Sequence, residues 1–132
     1  MGGSFQRLSA RAPLSLTTGG ALQMGGVSYT HGLLISATDV FAWSPSSPAG
    51  GEADILSFID SHEAVRGDFL LLGTGASLAF PSPSFRAGID RRGMGLEVMD
   101  SAAACRTYNL LFSEGRLFTA ALLPLVNNQS QV

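Results

Sequence analysis

The chain has 132 residues, with 8 Arg, no Lys, 10 Asp and Glu, 2 His and 1 Cys, and a net charge of -2. That length suits one domain and excludes an enzyme with separate cofactor and substrate domains. The missing Lys excludes a Schiff-base or P-loop lysine, and the lone Cys excludes an internal disulfide or a thiolate metal cluster. With 45% apolar and 14% charged residues, the chain can fill a core. It carries no charge excess that would draw it to nucleic acid or anionic lipid. So few charges leave two expectations for its surface: a Ser, Thr, Gly and Asn coat, or an area covered by a partner or a second copy.

Residues 1–20 carry Arg7 and Arg11, several Ser and no acid, and they are broken by Gly2, Gly3, Pro13, Gly19 and Gly20. They lack the apolar core of a secretory signal and read as a flexible arm ahead of a domain spanning 21–126. The polar residues 127–132 read as a disordered tail. No window approaches the run of about 18 apolar residues that a membrane helix requires.

Val27 to Ala37 alternates and reads as extended chain with a turn near His31 and Gly32, and Val40 to Trp43 reads as a further strand. Pro45, Pro48, Gly50 and Gly51 mark a loop over 44–51. Ile55, Phe58, Ile59 and His62 then recur on one helical face, which predicts a helix over 52–64 with Glu52 and Asp54 in its first turn. Asp68 to Leu72 is apolar on both faces, as a covered central strand requires. A helix follows over 84–92 and a strand over 95–99. Asp100 or Ser101 caps a helix over 102–113 that stops at Gly115, and a last strand over 116–123 closes at Pro124. Strands alternating with helices predict an α/β fold: a single-domain layered sandwich with a mixed central β-sheet flanked by helices.

Two segments stand out as candidate binding residues. Gly73, Thr74 and Gly75 follow the covered strand, where open α/β sheets collect ligands and glycine N–H groups hold anions. The same triplet also serves as a tight turn at positive φ. Asp100, Ser101, Arg106, Thr107, Tyr108 and Asn109 cluster at the start of the third helix. Arg106 and Asn109 share a helical face suited to a carboxylate or phosphate, and serve equally to tie down neighbouring loops. Glu114 and Arg116 flank Gly115, within pairing range of each other or of Arg106 and Asp100. Cys105 reads as a small buried residue, because no sequence pattern supplies it with a base, and His31 and His62 have no zinc-ligand spacing. Hence no catalytic or metal-binding residue is assigned.

Three stretches carry a family resemblance: Phe69 to Gly75; Gly95 to Leu111, in which Met99-Asp100 precedes Cys105-Arg106-Thr107-Tyr108-Asn109; and Glu114 to Pro124. Together with Tyr29 to Trp43 they make residues 21–125 resemble the Mth938-like (DUF498/DUF598) family. The chain is similar to its proteobacterial and mitochondrial branch, which includes assembly factor 3 of respiratory complex I, the NADH:ubiquinone oxidoreductase. Ser101 stands where many members have Thr. The resemblance implies the mixed-sheet sandwich, no established enzyme activity and no cofactor. It points to a protein partner, with respiratory-complex subunits the first candidates and a homo-oligomer the second. It implies a cytoplasmic protein, peripheral to the inner membrane, or a matrix protein in a eukaryote. Two expectations follow: a non-catalytic interaction or assembly module, or a small-molecule or anion site where the Gly73–Gly75 turn meets Asp100–Asn109.

Overall fold

A computed structural model describes residues 5–45 and 48–125. Nine strands and three helices follow in chain order: β1 (Arg7–Ala10), β2 (Leu14–Leu16), β3 (Leu22–Met24), β4 (Val27–Tyr29), β5 (Gly32–Ile35), β6 (Asp39–Trp43), α1 (Pro48–Ser61), β7 (Phe69–Thr74), α2 (Pro83–Arg91), β8 (Gly95–Met99), α3 (Ser101–Ser113) and β9 (Thr119–Leu123). The main sheet has the order β1-β6-β5-β9-β7-β8, and β2-β3-β4 form a small antiparallel sheet. In the main sheet β6, β9, β7 and β8 run one way, and β1 and β5 run the other. The sheet is therefore mixed and flanked by helices, as the sequence predicts.

Alternation along the central strands divides the core in two. Leu33, Ile35, Leu71, Ala120 and Leu122 face α3 and the small sheet, while Leu34, Leu70, Leu72 and Ala121 face α1 and α2. The small side chains of β9 leave room for α3, whose Ala104, Tyr108 and Leu111 pack on that face. The small sheet covers the rest of the α3 face with Leu14, Leu22 and Met24.

Several boundaries differ from the sequence reading. The expected flexible arm over residues 1–20 is corrected: residues 7–10 pair with β6, and Leu14 is a buried core residue on β2. Arg11 holds this segment down. Its guanidinium lies 5.1 Å from the Phe112 ring centroid and 5.3 Å from that of Phe118, and its Nη2 donates to the Arg116 carbonyl at 3.3 Å. Residues 1–4 and the expected tail over 127–132 lie outside the described residues.

The expected loop over 44–51 is also corrected, because α1 already begins at Pro48. Proline's fixed φ suits a first helical turn, and the following glycines are carried inside the helix. Glu52 and Asp54 consequently sit beyond the first turn. α2 starts one residue early, at Pro83, where the Ser82 hydroxyl accepts the Phe85 N–H at 3.1 Å. β4 and β5 do not pair with each other; the turn between them carries the chain from the small sheet to the large one. The last strand begins only at Thr119, because residues 114–118 turn out of α3 through Gly115 at φ +71°.

Candidate functional site

Four strands deliver their carboxyl ends to one edge of the main sheet: Trp43 from β6, Leu123 from β9, Thr74 from β7 and Met99 from β8. After β7 the chain turns to the α2 face, and after β8 it turns to the α3 face. Such a divergence opens a crevice between the two strand ends, and α/β sheets place ligands there. The expected turn over Gly73–Gly75 is corrected, since Gly73 and Thr74 are the last residues of β7 and only Gly75 turns; this strand end and Asp100–Ser101 stand on the two sides of this point.

Here the crevice is closed by Ser101. Its backbone N–H donates to the Gly75 carbonyl at 2.9 Å, and its Oγ accepts the Gly75 N–H at 2.8 Å while donating to the Leu123 carbonyl. The residue is fully buried. The two glycines have different reasons to be there. Gly75 has φ +96°, where a side chain is strained. Gly73 is required for space, since a Cβ would lie 3.0 Å from the Ala104 Cβ and 3.1 Å from the Ser101 Oγ. The Thr74 hydroxyl donates to the Ser77 carbonyl at 2.7 Å and accepts the Ala79 N–H at 3.1 Å, shaping the loop after β7. Asp100 caps α3, its Oδ1 accepting the Ala103 N–H at 2.8 Å.

The remaining candidates do not join this cluster. α3 has 13 residues, which makes it about 20 Å long, and its polar side chains are spent along that length. Tyr108 donates to the Ala12 carbonyl at 3.0 Å, and burial pushes its hydroxyl pKa up. Asn109 grips β2 from both sides: its Nδ2 donates to the Leu14 carbonyl at 2.7 Å and its Oδ1 accepts the Leu14 N–H at 2.8 Å. Thr107 is half-buried and Arg106 is exposed. Glu114 and Arg116 approach each other to 4.0 Å at the far end of the helix, both solvent-exposed. Burial raises the Cys105 thiol to about 11, with Arg106 opposing the shift, which leaves it a poor nucleophile.

An opening does exist at this sheet edge, on the α1 face. A groove of about 170 Å³ lies among Trp43, Ile55, Leu72, Phe80 and Leu123, with Glu52 on its wall. Thr74 reaches it, but none of residues 100–109 does. Trp43 is held by Asp54, whose Oδ2 accepts its Nε1–H at 3.2 Å. Glu52 takes the Ser82 N–H at 2.9 Å and the Ser82 hydroxyl at 2.7 Å, which ties α1 to the start of α2. Phe80 is 74% exposed and Leu78 51% exposed on the loop beside the groove. The sequence reading has Trp43 only as the end of a strand and passes over Phe80. The available signal was a bulky apolar pair, Leu78 and Phe80, inside a proline-bounded loop with no helical or strand period.

Fold and edge together define a small α/β domain with a sealed switch point and an open apolar groove beside it. Residues 15–123 match the family described as "Protein of unknown function (DUF498/DUF598)", and the chain belongs to that family. It is 34% identical over 108 residues to an uncharacterized protein of Rhodobacter capsulatus, covering 80% of this chain and 79% of that one. It is 39% identical over 57 residues to the NADH dehydrogenase [ubiquinone] 1 alpha subcomplex assembly factor 3 of Xenopus tropicalis, spanning 43% of this chain but only 31% of the assembly factor. A Mth938-like domain of Bordetella pertussis superposes with a TM-score of 0.70 at 24% identity, covering 95% of this chain and 94% of that one.

Proposed function

We propose that the protein is a non-catalytic interaction module that assists the building of respiratory complex I. The observation that carries this reading is the apolar groove with the exposed Phe80 on its wall, beside a switch point where Ser101 takes up the Gly75 N–H. An exposed apolar groove supports a reading in which another molecule covers it. The 57-residue similarity to an assembly factor supplies the class of partner. Among the described residues no helix is long and apolar enough to cross a membrane.

The test is genetic and biochemical. Cells lacking this chain should show less assembled NADH:ubiquinone oxidoreductase on native gels, with partial assemblies accumulating. The native protein should restore assembly, and a folded Phe80→Asp variant should not. Complex I that assembles to the same level and turns over at the same rate without the chain overturns the reading.

The anion site expected between Gly73–Gly75 and Asp100–Asn109 draws less support. The Gly75 N–H is taken by Ser101, and Arg106 lies more than a helical turn beyond the glycine turn.

A further inference from the structure

We infer that the groove between Trp43 and Phe80 seats one bulky apolar side chain of a partner polypeptide, with a basic residue next to it meeting Glu52. The inference rests on the interaction-module reading and names the chemistry of the segment that is bound.

Size comes first. A volume of about 170 Å³ is the scale of a single large side chain; an engineered apolar cavity of about 150 Å³ takes up benzene. Ile55, Leu72 and Leu123 supply an aliphatic floor, and Trp43 and Phe80 supply aromatic walls. A floor of this kind gains from displacing water by an apolar group. The exposed Phe80, which lines the groove, can pack against an inserted side chain and keep water from it.

Charge sets the neighbour. Glu52 is the one charged residue lining the groove, and Asp54 stands behind Trp43. The carboxylate oxygens of Glu52 each accept one hydrogen bond from Ser82, which leaves further lone pairs for an incoming donor. All eight Arg of the chain lie among the described residues, and none reaches salt-bridge distance of Glu52 or Asp54. Among the described residues no cation pairs with Glu52, so the groove carries a carboxylate beside an apolar slot. An Arg or Lys adjacent to the inserted side chain is favoured there, and an acid is repelled.

Trp43 is the only tryptophan, so its fluorescence reports occupancy of the groove directly. The full chain is titrated with N-acetyl-Leu-Arg-amide, N-acetyl-Leu-Glu-amide and sodium octanoate. The expected result is a saturable change in Trp43 emission with the Leu-Arg probe, at an affinity about threefold or more above the Leu-Glu probe, as a partly exposed ion pair supplies. High salt should erase that preference, and so should Glu52→Gln, while binding of the Leu side chain persists. The salt arm keeps the test decisive if Glu52→Gln fails to fold. Equal binding of the two dipeptides, no saturation with either, or tighter binding of octanoate overturns the inference. A failed titration with an intact assembly phenotype removes the groove inference alone, and the reverse pattern removes the complex I reading alone.

Discussion

Ser101 and Gly75 are locked by two reciprocal hydrogen bonds, backbone N–H to carbonyl in one direction and backbone N–H to hydroxyl in the other. This pair fastens the start of α3 to the end of β7 and carries a third bond to the Leu123 carbonyl of β9. A small hydroxyl thus joins three elements at the point where the sheet would otherwise open. Ser101→Ala leaves the Gly75 N–H and the Leu123 carbonyl unpaired in a buried site, and is expected to cost about 1–3 kcal/mol. Urea denaturation reads the loss directly, and an unchanged midpoint would contradict the seal.

Asn109 acts the same way on the small sheet. Asn109→Ala removes both bonds to Leu14 and is expected to cost about 1–3 kcal/mol. The Leu14 amide should exchange with solvent faster than the amides of β7. Equal protection of Leu14 in the variant and the native protein would show that β2 is held by packing alone.

Gly67 carries φ +75°, and a Cβ there would run into the Leu117 carbonyl. The carbonyl is backbone and a Cβ has no torsion of its own to turn it away, so no rotamer relieves the clash. Gly67→Ala is expected to lose on the order of 3–5 kcal/mol, among the largest effects of any single substitution here. By contrast, Gly93 has φ +72° with open space around it, and Gly93→Ala should cost only about 1 kcal/mol. Thermal melts of the two variants compare them side by side.

Cys105 gives a pH signature. Its folded-state thiol is raised from 9.0 to about 11 by burial. A group held protonated by folding contributes fully below its unfolded value and loses that contribution as pH rises through the folded one. The native protein should therefore lose stability between about pH 9 and 11 relative to Cys105→Ala, measured as denaturant midpoints across that range. At pH 7 to 8 alkylation of the thiol should be slow until denaturant opens the core. Parallel pH curves for the two proteins would show that the thiol titrates as if exposed.

Arg11 tests the order of the N-terminal segment. Its stacking on Phe112 and Phe118 places a cation between two rings, and Arg11→Ala should cost about 1–2 kcal/mol. Removing residues 1–16 also deletes the buried Leu14 and should leave the domain unable to fold cooperatively. A truncated chain with a native-like melt would restore the flexible arm.

Hydrophobic period, caps and glycine stops are local signals, and they were sufficient for most elements. Two-faced burial of Leu70 to Leu72 marked the central strand, Asp100 marked the start of α3, and Gly115 marked its end. Residues 7–16 defeated the same reasoning, because what orders them is distant in sequence: Phe112 and Phe118 for Arg11, Asn109 for Leu14, Phe41 for Arg7. The family resemblance, resting on contiguous residues, is likewise legible in the sequence.

What the residues alone determined is the class of fold, since it follows from local pattern and chain order. Tertiary structure decided the rest. It spent Ser101, Tyr108 and Asn109 on backbone groups of distant segments, and it gathered Trp43, Glu52 and Phe80 from three separated segments around one groove. A hydrogen-bond donor looks the same in a sequence whether its partner is a ligand or a carbonyl, and only the packed chain shows which of them it has found.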